Sequence, residues 1–500
     1  MHRYAFACCF LLFFASTANA DWLEASSDHF VIYSDQSEKS LRLFAERLEL
    51  FHAAMARVLR KQLTKPSPSN RVTIYVVSNE VEVQKLARAN NRYLAGFYVP
   101  RAGSTVALIP QLRQARSNLE LSPETILYHE YAHHFMAGMT VRAYPRWFVE
   151  GFAEFFASVR FRAENVDLGM PATHRALELE LSRRVPMREL LAYDGGARDP
   201  KFGSDAFYGE SWALFHFLEF APERAGQLAK YQKLLAQGTS ALEAAESAFD
   251  DLDTLEKDVR AYRRRRLLNY LAIDRSTLVT GPINVGKLSP GAAEMMPTAI
   301  RFRVGVKQEE AVALLPEARR VAARYPDDAA VLADLAKAEF DAGNDDAAIA
   351  AADRAIAIDP KQINAQIQKG YALFHKVETG VLPKESWVDV RNQFVKANKI
   401  ENDHPIPLVE YYVSFLVAGE QPTRNSIDGL AWAMELAPFD SSVRWMVAQQ
   451  LIADDRLADA AQTLAPLAYS PHRNEHTDRA LNLLKDVEAR IAAAQEPAPE

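Results

Sequence analysis

The sequence predicts an α+β half, a small mixed sheet with helices, followed by an all-α half built from repeated helix pairs. Three observations carry this. Short β-branched and aromatic runs alternate with helically spaced apolar residues up to about residue 110. From Ser122 onward the apolar spacing is helical. Beyond residue 306, prolines recur at near-constant intervals, the mark of a repeated supersecondary unit. A chain of 500 residues exceeds one ordinary core, so two or three domains are expected. Hydrophobic residues at 49% and charged residues at 25% exclude extensive disorder.

Residues 1–20 read as a signal peptide. Arg3 gives a positive start, Tyr4 to Phe14 form an apolar run, and Ala18-Asn19-Ala20 places small residues before a cut ahead of Asp21. The run falls short of the ~20 residues a membrane span needs. The expectation is an exported protein, periplasmic or secreted, with no stable membrane anchor after cleavage. Both cysteines, Cys8 and Cys9, lie inside the peptide, so the mature chain forms no disulfide. A net charge of −7 on this length argues against a nucleic-acid partner. The basic run Arg263 to Arg266, beside Glu256 and Asp258, reads as a solvated helix face.

The first domain is expected over residues 21–270. Phe30 to Tyr33 is a strand, and Leu41, Phe44, Leu48, Phe51, Met55 and Leu59 mark a helix. Pro66 to Asn70 is a loop, Val72 to Val77 the clearest strand, and Asn79 to Ala89 a helix. Gly96 to Val99 and Thr105 to Ile109 are further strands, the second a candidate edge for pairing an extended peptide. Ser122-Pro123-Glu124 starts a helix, with Ser122 as cap and Pro123 in the first turn, running through Met136 and stopping near Gly138. A second helix starts near Pro145, and others are expected at about 171–184, 205–220, 223–236 and 250–270.

Residues 271–305 are rich in Gly and Pro and read as a linker, with Ile300 to Val304 as a strand, or as a small β insert. Over 306–490, Pro326 and Pro360 stand 34 positions apart, and Pro405, Pro438 and Pro471 follow at intervals of 33. Leu335, Ala336, Gly343, Ala348 and Ala355 provide small contacts between paired helices. This pattern resembles tetratricopeptide repeats, most closely over 329–362, with an insertion near Lys376 to Ser386. An Ala-rich helical bundle is the alternative. Residues 491–500 are expected to be a disordered tail.

The chemistry centres on His129-Glu130-Tyr131-Ala132-His133. Positions i and i+4 share a helix face, so both imidazoles can reach one metal ion. Glu130 is rotated about 100° from His129, beside the open position, where it can take a proton from water. A site of this kind needs a third ligand from another element. Glu150, 17 positions after His133, suits that role, and Glu154 can accept a hydrogen bond from the free nitrogen of a ligand histidine.

The His-Glu-x-x-His helix, followed by Trp147-Phe148-Val149-Glu150-Gly151-Phe152-Ala153-Glu154, resembles the gluzincin metallopeptidases of the peptidase MA-like kind. The resemblance implies a zincin-like catalytic domain holding Zn2+. It makes His129, His133 and Glu150 the ligands, Glu130 the general base, and Glu154 the support behind them. The Gly-x-Met-Glu-Asn segment of gluzincin aminopeptidases is absent, which favours an endopeptidase. The metzincin alternative fails, because Met136 and Gly138 do not make its extension. Tyr208 is the candidate donor to a developing oxyanion, with His174 as rival. His134 points away from the ligand face and reads as structural or exposed. The functional expectation is zinc-dependent hydrolysis of a peptide or protein substrate, with a protein partner on the repeats. The alternative is a non-catalytic adaptor or assembly protein with a vestigial zinc domain.

Overall fold

The computed structural model describes residues 22–61, 64–87, 96–111, 121–140, 142–181, 185–193, 204–470 and 475–495. The expected signal peptide, Pro471 and residues 496–500 lie outside them.

Among the described residues, nine strands form two sheets. They are β1 (Leu23–Ser26), β2 (Phe30–Ser34), β3 (Val72–Val77), β4 (Phe97–Val99), β5 (Val106–Pro110), β6 (Arg160–Phe161), β7 (Asn165–Leu168), β8 (Leu271–Asp274) and β9 (Asn284–Lys287). The larger sheet runs β4-β5-β3-β2-β1-β9, and the smaller β6-β7-β8. β2, β3 and β5 are parallel, while β1, β4 and β9 are antiparallel to their neighbours, so the larger sheet is mixed. β5 is therefore internal, paired on both sides, and cannot serve as the edge expected of it. That edge is β4.

One face of the larger sheet carries Phe30, Ile32, Ile74, Val76 and Ile109. Against it pack Leu41, Phe44, Leu48, Phe51 and Met55 of the helix Glu38–Leu59, and Leu127, Tyr131 and Phe135 of the helix Pro123–Met139. The first of these helices shows the predicted apolar spacing, and Ser37 caps it by accepting from the Ser40 amide.

The opposite face, with Tyr75, Val77, Val106 and Leu108, is covered by Met296, Ile300 and Val304. These belong to a helix, Pro290–Val304, and the expected strand at Ile300 to Val304 is corrected accordingly. The alternation Ile300, Phe302, Val304 has a different cause. The helix is buried on two sides: Met296, Ile300 and Val304 face the sheet, while Met295, Ala299 and Phe302 enter the core of the first repeat helices. Nor is the rest of the composition break a free linker, since β8 pairs with β7 and β9 with β1.

Three expected helix boundaries differ. The 171–184 region holds a 3-10 turn, Thr173–Arg175, and the helix Ala176–Leu181, followed by Met187–Ala192. The helix expected to begin at 223 starts at Gln227, after a 3-10 turn at Pro222–Arg224. The helix of the 250–270 region ends at Arg263, and the short helix Ala241–Phe249 precedes it. The basic run straddles this helix end, where Arg263 donates to Glu210 at 2.6 Å.

From Pro290 the chain is a stack of helices, each packed on the next: 308–324, 329–341, 345–358, 363–378, 387–400, 405–417, 424–436, 441–453, 457–468 and 475–495. Ala336, Ala348 and Ala355 are fully buried between the helices of the 329–358 pair, and Gly343 makes their turn at φ +85°. The region around Lys376 to Ser386 holds a helix end, a turn at Gly380 and a 3-10 turn at Lys384–Ser386. The last helix extends to Gln495, five residues into the stretch expected as a tail. Among the described residues, no helix is long and apolar enough to cross a membrane.

Candidate metal centre

The helix Pro123–Met139 starts where expected, Ser122 Oγ accepting from the Thr125 amide at 3.1 Å with Pro123 in the first turn. Leu127, Tyr131 and Phe135 bind it to the sheet, leaving His129 and His133, one turn apart, on a different face. The helix Arg146–Ala157 returns alongside. Its aromatic residues Trp147, Phe148, Phe152, Phe155 and Phe156 are all buried. They draw Glu150 and Glu154, 0% and 1% exposed, into the interior.

The two helices bring three side chains to one point. His129 Nε2 and His133 Nε2 are 3.0 Å apart. Glu150 Oε2 lies 3.3 Å from the first and 3.4 Å from the second. Four ligands held at about 2.0–2.1 Å in a tetrahedron stand about 3.3–3.4 Å from one another, so this triangle has the dimensions of three zinc ligands. Apart from the two imidazoles, no group among the described residues donates to either oxygen of Glu150. A fully buried carboxylate with no other donor calls for a cation. Burial pushes Glu150 upward, but His133 and His129 outweigh it and hold the carboxyl far below its ordinary value. Burial likewise lowers His129, yet Glu150 and Glu154 reverse this and push it up to about 10. The surroundings thus demand positive charge here. These residues fit a zinc ion.

Glu154 stands behind the triangle. Its Oε1 lies 3.2 Å from His129 Nδ1, the nitrogen facing away from the triangle. The same oxygen accepts from Arg175 Nη2 at 2.5 Å and Nε at 3.1 Å. Oε2 lies 2.9 Å from His174 Nε2. Burial raises Glu154, but Arg175, His129 and His174 overcome it and keep the group ionised. His174, considered as an oxyanion donor, is therefore turned to Glu154. Arg175 had no expected role. It supplies the charge that lets a carboxylate stay ionised in this interior.

Tyr208 comes from the helix Ser204–Phe220, which crosses the Glu150 helix at Gly151. A Cβ on Gly151 would stand 2.6 Å from the Ser211 carbonyl oxygen and 2.9 Å from Phe215 Cβ. This contact brings the Tyr208 ring within 5.9 Å of the His129 ring, with the Arg175 guanidinium 5.0 Å over it. Burial and then the Glu150 charge raise the phenol, against Arg146 and Arg175, so it remains a hydrogen-bond donor at neutral pH. Arg146 also donates to Tyr193 at 3.0 Å, a link with no sequence signal.

Glu130, half-buried, and His133 line a cleft of about 810 Å³, with β4 along its rim. Its other wall is the end of the helical stack, including Phe439, Arg444, Trp445 and Tyr469. The stack is anchored beside the centre. Phe439 packs on His134 with ring centres 4.2 Å apart, and His134 Nδ1 is 2.7 Å from Tyr98 Oη. Asp440 accepts from the Ala102 amide at 2.7 Å, Asn70 donates to the Leu436 carbonyl at 2.6 Å, and Ser69 bonds Glu401 through its amide and hydroxyl. His134 is thus a docking residue of the interface.

No family model and no curated protein sequence matches this chain. Solved structures do. A thermophilic TPR protein of Thermus thermophilus, TTC0263, is 16% identical at a TM-score of 0.33, over 39% of this chain and 99% of its own. MamA is 12% identical at 0.27, over 41% and 98%. Yeast Tom70 is 13% identical at 0.29, over 76% of each. This likeness lies with helical repeat proteins and says nothing of the cluster at His129, His133 and Glu150.

Proposed function

We propose that the chain is an exported zinc-dependent metallopeptidase of endopeptidase action, whose helical stack binds its protein substrate or a protein partner. The observation that carries this reading is the convergence of two imidazoles and a buried carboxylate on one point, with a further carboxylate, Glu130, on the adjoining cleft. His129, His133 and Glu150 would hold the ion. When bound, zinc supplies Lewis acidity that favours deprotonation of water and polarises a carbonyl. Glu154 fixes His129 through Nδ1, so that Nε2 presents its lone pair to the ligand triangle. Glu130 takes the proton of the attacking water and returns it to the leaving amine. Tyr208 stays protonated and donates to the oxygen that gains charge as the carbonyl is attacked. The edge of β4 offers main-chain pairing to an extended substrate.

A second reading rests on the helical half. A stack of helices joined by short turns presents a long surface for protein binding, and on this view the chain is an adaptor with a structural metal cluster. Glu130 favours the first reading, because a structural ion needs no base beside it. The test is elemental analysis and casein hydrolysis on wild type and Glu130→Gln. The amide keeps shape and ligands but accepts no proton, so zinc should stay at one per chain while the rate falls about 10²- to 10⁴-fold. Zinc-loaded wild type that is inert against casein and a broad peptide library would favour the adaptor.

A further inference from the structure

Among the described residues, the wall facing Glu130 across the cleft carries charge of one sign. Apart from Glu130 itself, the ionised side chains among the described residues lining the space are Arg142, Arg444 and Arg479. The last two come from the stack, in a chain whose overall charge is negative.

Arg444 is unlike the others. Only 3% of it is exposed, yet it lines the cleft. Its Nη2 donates to the Pro438 carbonyl at 2.7 Å, while Nη1 has no acceptor among the described residues. A guanidinium carries five donors in a planar fork, and a buried donor left unmade is costly. Retaining such a group on a cleft wall makes physical sense when an acceptor arrives with the ligand. The planar fork matches a carboxylate, which takes two parallel N–H bonds. Arg479 lines the same cleft, its guanidinium 5.5 Å from the centre of the ring of Trp445, the residue next to Arg444. Trp445, Phe439 and Tyr469 give that wall an apolar surface for the rest of a peptide.

We propose that the last helices of the stack form a carboxylate-binding subsite centred on Arg444 and assisted by Arg479. It selects peptides carrying a negative charge, from an Asp or Glu side chain or from a free C-terminus. The inference rests on the peptidase reading for why a peptide enters this cleft. It also gives the stack a function within the site: it supplies the part of the substrate pocket that reads sequence or chain end.

The test is calorimetric titration of the full-length zinc-loaded chain carrying Glu130→Gln, so that nothing is cleaved. Three peptides of equal length and apolar content are compared: one blocked at both ends and uncharged, one with a free C-terminus, and one blocked with a single internal Glu. At least one acidic peptide should bind about 10- to 100-fold more tightly than the neutral one, as expected for charge-assisted hydrogen bonds. Which one does so identifies the source of the carboxylate. Arg444→Gln should bring the affinities within about two-fold, and Arg444→Lys should keep part of the difference. Arg479 is exposed, so Arg479→Gln folds normally and should reduce the preference even where Arg444→Gln lowers stability. Equal binding of all three peptides, no binding at millimolar concentration, or a preference untouched by both substitutions would overturn the subsite. Zinc content and casein hydrolysis separate the two claims. An active zinc enzyme indifferent to peptide charge refutes the subsite alone. A chain that holds no zinc and cleaves nothing, yet prefers acidic peptides through Arg444, refutes the peptidase reading and leaves the subsite standing.

Discussion

Replacing Glu154 by Gln separates the triangle of His129, His133 and Glu150 from what stands behind it. The amide fills the same volume, and its oxygen can still face Arg175 and His129, as Glu154 Oε1 does at 2.5 Å and 3.2 Å. Its nitrogen then faces His174, which can accept in the other tautomer. What disappears is the charge. Arg175, itself buried, loses the charge of Glu154; breaking a buried pair outright costs about 3–5 kcal/mol. Gln still accepts hydrogen bonds, so about 2–3 kcal/mol of stability should be lost. His129 loses the carboxylate that orients its ring, and removal of such a partner lowers metal affinity about 10- to 100-fold. Two assays read the two effects. Chelator competition should show zinc binding weakened by that factor. Thermal melts of the zinc-free chain should show the loss of the Glu154 charge beside Arg175, His129 and His174 with no contribution from the metal. A lower Tm with unchanged zinc affinity would assign Glu154 to Arg175 only. Unchanged Tm and zinc affinity together would refute the whole account of this carboxylate.

Three further outcomes follow from the same residues. His129→Ala and Glu150→Ala should each lose the zinc, and stoichiometric metal retained in both by elemental analysis would remove them from the ligand set. Glu410 gives a pH dependence remote from the metal centre: burial pushes its carboxyl from the ordinary 4.5 up to about 7, against the hydrogen bond with Tyr371. The fold then holds the proton more tightly than the unfolded chain, so the group's contribution to stability is full below about 4.5 and is lost as pH rises through about 7. Glu410→Gln should raise Tm at pH 8 and leave it unchanged at pH 4; no gain at pH 8 contradicts the assignment. Intact-mass measurement on chain recovered outside the cytoplasm should place the N-terminus at Asp21, and retention of residues 1–20 would disprove cleavage there.

The convergence of His129, His133 and Glu150 was legible because its information is local. His129 and His133 are one helical turn apart, and a second pair at the same spacing, Glu150 and Glu154, sits in an apolar helix where carboxylates are costly. The nitrogen of His129 that Glu154 approaches follows from the same logic. Arg175, Arg146, Phe439 and Arg444 were not legible. Each acts across a contact between segments far apart in sequence, and no spacing records such a contact. One clue was present: Gly151 stands in the middle of a helix, where glycine costs about 1 kcal/mol relative to alanine. Its reason is the backbone of the Tyr208 helix pressed against it. The edge strand was misplaced because β5, rich in apolar residues, reads strongly, while the true edge β4 is three half-buried residues. Ile300 to Val304 was misread for a comparable reason. Alternating apolar residues fit a half-buried strand, and they fit equally a helix covered from two sides.

That doubly covered helix, Pro290–Val304, acts as a shaft between two cores. Each residue along it turns the helix by about 100°, so one residue inserted between Met296 and Ile300 would rotate the following side chains out of register with both neighbours together. The sheet and the stack are keyed to one another by its rotational phase, and neither presents a finished surface without it. The far end of the stack then closes on the cleft lined by Glu130 and His133. The angle at which Phe439 and Arg444 meet Glu130 is held at two places: by the contacts of Ser69, Asn70 and Ala102 with the stack, and by this helix more than a hundred residues earlier in the chain. A change there would act as a lever on the mouth of the site while leaving every residue of the site in place.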